Sequence, residues 1–105
     1  MLNQAIVVGR LTDSPKLVEE GEKKVAYITL AVPRSFKNAE GIYDTDFIDF
    51  KLWDGVAKST TEYCKKGDIV GVKGRIQSEK NEDENKMILV AEKVTFLSSR
   101  KPEEE

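Results

Sequence analysis

Residues 46 to 53 read Asp46-Phe47-Ile48-Asp49-Phe50-Lys51-Leu52-Trp53. Side chains along a strand point to opposite faces in turn, so Ile48, Phe50 and Leu52 make one apolar face. Phe47, Asp49, Lys51 and Trp53 make the other. In a small sheet with one covered side, that second row meets solvent or a ligand. Exposed rings beside a cation are suited to stacking nucleobases while holding a phosphate backbone. The same row also fits a strand packed on both faces, or a contact between subunits. The flanking sequence has to decide.

Upstream, Leu2 to Leu11 alternates as a first strand, with Gly9 marking a bulge or close approach, until Thr12-Asp13-Ser14-Pro15 breaks it. Lys16 to Glu19 reads as a short continuation before the polar turn Glu20-Gly21-Glu22-Lys23. Val25 to Val32 is a second strand, ended by Pro33, which cannot donate to a ladder. The polar loop Arg34 to Tyr43, turning at Gly41, joins it to the third strand, Thr45 to Trp53, and its tip should project from the body. From Asp54 to Lys66 the period changes. Val56, Ala57, Thr60, Tyr63 and Cys64 recur at helical spacing, and Lys65-Lys66-Gly67 closes the helix. Asp68 to Ile76 is a fourth strand with Gly71 and Gly74 where curvature is expected. Gln77 to Lys86 is a polar, acidic loop or hairpin tip, and Met87 to Leu97 is the last strand. The order predicts an all-β OB-fold, a five-stranded Greek-key barrel with one helix between strands three and four. The runner-up, an SH3-like barrel, rarely holds such a helix. The domain is expected over residues 1–98, with a charged flexible tail at 99–105.

A chain of 105 residues makes one domain. It has no apolar run near the ~18 residues of a membrane span, and no basic segment followed by an apolar one at its start. A cytoplasmic protein without membrane contact is expected. There is no histidine, and Cys64 is the single cysteine. That removes His-based acid–base chemistry, an internal disulfide and a thiolate metal cluster. Asp46 and Asp49 face opposite sides of their strand, poor geometry for paired carboxylates. Glu82-Asp83-Glu84 lacks the alternation and central glycine of a calcium loop. The chain is therefore not read as an enzyme, and no cofactor or metal is expected.

The net charge is −2, but the acidic Glu82-Asp83-Glu84 and Lys101 to Glu105 segments outweigh it, leaving a slightly basic body. Basic and aromatic residues suit a binding role. Phe47 and Trp53 share their face with Lys51, which is placed to neutralise a phosphate. Phe36 lies in the projecting loop between Arg34 and Lys37, and either folds back onto the core or meets a partner. Tyr27 is expected on the outer surface of the second strand. Lys73 and Arg75 share a face of the fourth, as nucleic-acid contacts or as a solvated surface. The direction of Arg10 depends on whether Gly9 is a bulge. Tyr63 and Cys64 are read as helix core residues.

In order along the chain, Met1-Leu2-Asn3-Gln4-Ala5-Ile6-Val7-Val8-Gly9-Arg10-Leu11, Pro15, Ile28 to Val32, Arg34-Ser35-Phe36, Phe47-Ile48 through Leu52-Trp53, Ala57, Tyr63 with Lys65-Lys66-Gly67-Asp68, and Val72-Lys73-Gly74-Arg75-Ile76-Gln77 resemble the bacterial single-stranded DNA-binding protein family. The resemblance covers nearly the whole length. It implies an OB barrel assembled as a homotetramer, with a dimer as the alternative, around which single-stranded DNA wraps. The implied function is sequence-independent binding in DNA replication, recombination or repair, with proteins of those processes as further partners. Phe36, Phe47 and Trp53 match stacking aromatics. Arg34, Lys37, Lys51, Lys73 and Arg75 fall where backbone contacts would be, Arg10 closes the opening motif, and the strand around Asn3 to Val8 would pair subunits.

Three departures stand against the pattern. The family often has a basic stretch with a further aromatic after strand four, whereas Ser78 to Glu84 is acidic and ring-free, which should lower affinity. Pro33 replaces a usually polar residue. The chain ends at Pro102-Glu103-Glu104-Glu105 without the long tail of cellular members, which fits a core domain or a short phage, plasmid or accessory variant. The length is also similar to the dimeric primosomal replication protein. That gives a second reading, an assembly module with weak DNA binding and mainly protein contacts. An RNA-binding OB domain is a third.

Overall fold

The computed structural model describes residues 1–99, so the tail predicted over residues 99–105 lies, apart from Ser99, outside the described residues. In chain order the elements are β1 (Ala5–Leu11), β2 (Lys16–Glu20), β3 (Lys23–Lys37), β4 (Tyr43–Trp53), α1 (Asp54–Tyr63), β5 (Ile69–Asn81) and β6 (Glu84–Ser98). The six strands form one sheet in the order β1-β5-β6-β4-β3-β2. The order closes on itself through its first strand and its last but one. β1 pairs with β3 through Arg10↔Ala31 and Leu11↔Leu30, and β4 touches β6 through a single parallel pair, Lys51↔Val90. Hydrogen bonding therefore runs in a ring through β1, β5, β6, β4 and β3, with β2 flanking β3 outside it.

The strand count is six where five are predicted. The extra strand is β2, in the stretch expected as a short continuation of the first. Asp13 accepts the Ser14 N–H at 2.8 Å, forming a turn that precedes the buried Pro15. The chain then returns along the far edge of β3, pairing from Lys16↔Tyr27 to Glu20↔Lys23. Pro33 does not end its strand. Beyond Ala31 only β4 flanks β3, and the β3–β4 register slips between Pro33 and Lys37. An edge with an irregularity is where a strand tolerates proline. Likewise the segment after Gln77 is mostly strand: β5 and β6 pair through Asn81↔Glu84 around a turn whose Glu82 has φ 57°.

The alternation of β4 is realised on its inner face. Phe50 and Leu52 are buried with Leu11, Ala26, Ile28, Leu30, Val70 and Val72 in one cluster, and Ile48 packs against it. Burying side chains of this size is worth roughly 1.5–3 kcal/mol each. The helix α1 contributes Ala57 and Thr60 to the buried set. It stops at Tyr63, short of the predicted Lys66, because the next backbone groups are taken elsewhere. Asp68 Oδ2 accepts the Lys65 N–H at 2.9 Å, and the Gly67 N–H donates to Leu11 O at 3.0 Å. Tyr63 is accordingly 75% exposed rather than a core residue, while Cys64 is buried as expected. Burial pushes the Cys64 thiol up, with the charge of Asp68 adding to the effect. Among the described residues, no helix is long and apolar enough to cross a membrane.

Candidate nucleic-acid interface

The outer row of β4 sits beside the outer row of β3 in the register Tyr27↔Lys51, Thr29↔Asp49 and Ala31↔Phe47. The β5–β6 hairpin rises opposite. Between them runs an open groove of about 1030 Å³ lined by Tyr27, Phe47, Lys51 and Trp53 on one side and by Glu79, Lys80, Lys86 and Met87 on the other. Four of the predicted binding residues are thus brought together. Phe47 is 67% exposed, and Tyr27 is also exposed.

Lys51 departs from the exposed position read from alternation. It is 8% exposed, and its Nζ donates to Glu79 Oε2 at 3.1 Å and lies 3.9 Å from Glu20 Oε1. The same ammonium sits 4.4 Å from the Trp53 ring centroid and 5.8 Å from that of Tyr27. Burial pulls its pKa down, but the hydrogen bond it donates to Glu79, with the nearby charges of Glu79 and Glu20, outweighs this and leaves it raised. The reason for the burial is the ring closure. The one β4–β6 pair is at Lys51 itself, so the hairpin folds over that residue and its carboxylate reaches back. Lys51 is a post holding the groove together, already neutralised. Trp53 is half-buried, and the Nζ of Lys23 is also near it, 5.4 Å from the ring centroid.

The other predicted residues lie outside the groove. Arg34, Phe36 and Lys37 are carried on the two-stranded extension of β3 and β4. Phe36 is 63% exposed and does not fold back onto the core. Arg34 is engaged by Asp46, with Nε to Oδ2 at 3.1 Å and Nη2 to Oδ1 at 2.8 Å, and its Nη1 is 3.7 Å from Asp44. The hydrogen bond to Arg34 holds the Asp46 carboxyl below its usual range. Lys37 lies over the Tyr43 ring at 5.7 Å. Arg10 points outward and donates to Gly67 O at 2.8 Å, pinning the turn after the helix. Arg75 is shared between Glu92, at 3.1 Å, and Gln77, at 2.9 Å. Lys73 is exposed between Ile6 on β1 and Lys93 on β6.

Sequence reasoning missed the far wall. The stretch after Gln77 reads as uniformly acidic, yet pairing places Glu79 opposite Lys86 and Ser78 opposite Met87. Glu79 is spent on Lys51, while Lys80, Lys86 and the exposed Met87 also line the groove. The signal was the pair of lysines flanking Glu82-Asp83, Lys80 before it and Lys86 after it, hidden because the carboxylates dominate that stretch. Among the described residues, no cluster of three or more His, Cys, Asp or Glu side chains is arranged to hold a metal ion.

Comparison with known proteins places this geometry in context. Residues 2–97 match the model of the single-strand binding protein family. The chain is 48% identical to single-stranded DNA-binding protein B of Bacillus subtilis (strain 168), over 80% of this chain and 75% of that protein. It is 40% identical to single-stranded DNA-binding protein 3 of Listeria innocua, over 95% of this chain and 66% of the relative. With the single-stranded DNA-binding protein of Halalkalibacterium halodurans the identity is 41%, over 95% of this chain and 63% of that protein.

Proposed function

The chain belongs to the single-strand binding protein family, and on that footing we propose that it binds single-stranded DNA by base stacking and backbone neutralisation, largely independent of sequence. The observation that carries the reading is the groove with three aromatic residues, Tyr27, Phe47 and Trp53, on one wall and Lys80, Lys86 and Met87 on the other. Rings on one wall and cations on the other are what a flexible single strand needs. No bond is made or broken. The ring of strands capped by one helix is an OB barrel on this reading, with β2 as an added edge strand. Phe36, with Lys37, would extend the stacking path along the β3–β4 arm. The protein would act in the cytoplasm, in replication, recombination or repair.

The outer face of β1 bears Ile6, 68% exposed, and Val8, 53% exposed, with Leu97 alongside. A second copy covering this stripe would give the dimer from which a tetramer is built. The primosomal-type alternative draws its support from the three carboxylates in the groove, Glu20, Asp49 and Glu79.

Titrating oligothymidylate and a duplex against the protein while following Trp53, the single tryptophan, tests the reading. Quenching by the single strand alone, weakened by salt, is expected. No quenching and no retention of oligothymidylate would sink it. Sedimentation at micromolar concentration tests the assembly, and a monomer there would refute the tetramer.

A second expectation concerns the post. Glu79→Gln releases Lys51 from its nearer carboxylate and lets it meet a phosphate. The slope of log K against log salt should steepen by about 0.7, the value for one added single-strand phosphate contact. An unchanged slope would mean that Lys51 stays buried when DNA is bound.

A further inference from the structure

Asp49 is the member of the groove that stacking and phosphate neutralisation leave without a task. It stands between Phe47 and Lys51 on the outer row of β4 and is exposed. Its carboxylate repels the phosphates that the site would collect. Nor is it offset by a cation: among the described residues, no Lys or Arg nitrogen lies within salt-bridge distance of it, and the neighbouring Lys51 is committed to Glu79 and Glu20. It is nevertheless held in place, because Thr29 Oγ1 donates to Asp49 Oδ1 at 2.5 Å across the strand pair. One oxygen is thereby fixed. The other remains free to accept, and a carboxylate has sites for several donors.

We propose that Asp49 reads the Watson–Crick edge of a guanine stacked on Phe47, a bias laid over otherwise sequence-tolerant binding. The inference rests on the single-strand reading of this groove. Residues two apart on a strand are ~7 Å apart, so a base lying over the Phe47 ring and directed along β4 brings its edge above Asp49. Splayed bases in single strands are open to recognition on that edge. A carboxylate only accepts, so it selects the edge with two adjacent donors. Guanine has N1–H beside the N2 amino group. Thymine offers one N–H between two carbonyls, and cytosine and adenine each set an amino group next to a ring nitrogen that also accepts. The paired, charge-assisted hydrogen bonds are therefore available to guanine alone. Thr29 is a positioning residue, since it orients the carboxylate without meeting the base.

The test compares a labelled oligothymidylate with the same strand carrying isolated guanines, in lithium buffer so that guanine quartets do not form. The guanine-bearing strand should bind about tenfold more tightly, the low end for a hydrogen bond to a charged group. Replacing guanine by inosine, which keeps N1–H and loses the amino group, should remove most of that ratio. In Asp49→Asn the ratio should fall to about one, because the amide now presents a donor. A preference that survives inosine or Asp49→Asn comes from stacking strength and overturns the proposal. Tight binding of oligothymidylate with no guanine preference overturns it too, while leaving single-strand binding intact. Failure to bind either strand overturns both.

Discussion

Trp53→Ala lowers affinity for oligothymidylate by about tenfold or more, as loss of one stacked base at roughly 1–3 kcal/mol predicts. The residue closes the inner end of the groove, where β4 gives way to α1. It is the ring most firmly oriented, with Lys51 at 4.4 Å and Lys23 at 5.4 Å from its centroid. A ring so held loses little freedom when a base settles on it. Because the variant lacks the fluorescent reporter, anisotropy of a labelled strand is the readout. Trp53→Phe should recover most of the loss, which separates stacking from packing. Phe47→Ala should cost a similar amount. Equal, small losses at Trp53, Phe47 and Lys80 would contradict the groove as the binding path.

Gly74→Ala should be the most damaging small substitution, aimed at the fold rather than at the site. Gly74 pairs with Ala5 on one side and Ala91 on the other, beside the irregularity in the β5–β6 register. A Cβ there would collide with the carbonyl oxygen of Val90, and would lie 3.0 Å from Val90 C and 3.2 Å from Ala91 Cα. All of these are backbone atoms in the sheet and cannot swing away. Overpacking of this kind costs about 1–3 kcal/mol or more. At about 4–8 °C per kcal/mol for a domain of this size, the melting temperature should fall by about 10 °C. Gly55→Ala is the control. Nothing lies within 4 Å of its Cβ position in the first turn of α1, so a gain of about 0.4–1 kcal/mol is expected. Thermal denaturation of both variants checks this, and similar melting points would show that the sheet gives way at Val90.

Local patterns carried the elements well. The alternation of Phe47 to Trp53 placed Phe50 and Leu52 in the core, and the shift to helical period put α1 between the strands where it was expected. The chain was also legible as a family member from short ordered stretches. Errors arose where a local rule met a distant partner. Pro33 reads as a stop, yet β4 carries the pairing past it. Tyr63 has core spacing, but the helix ends beneath it and leaves it in solvent.

By itself the sequence determined the apolar face of β4, and that rings and a lysine share its other row. These follow from period and side-chain type, both local properties. Only the tertiary structure decided what that row opposes. Folding β5 and β6 over β4 at Lys51↔Val90 converts an exposed lysine into a buried, paired one and turns an acidic stretch into a wall bearing Lys80, Lys86 and Met87. The charge of a site depends on which groups lie within a few ångströms, and residues 51 and 79 become neighbours only when the ring of strands closes.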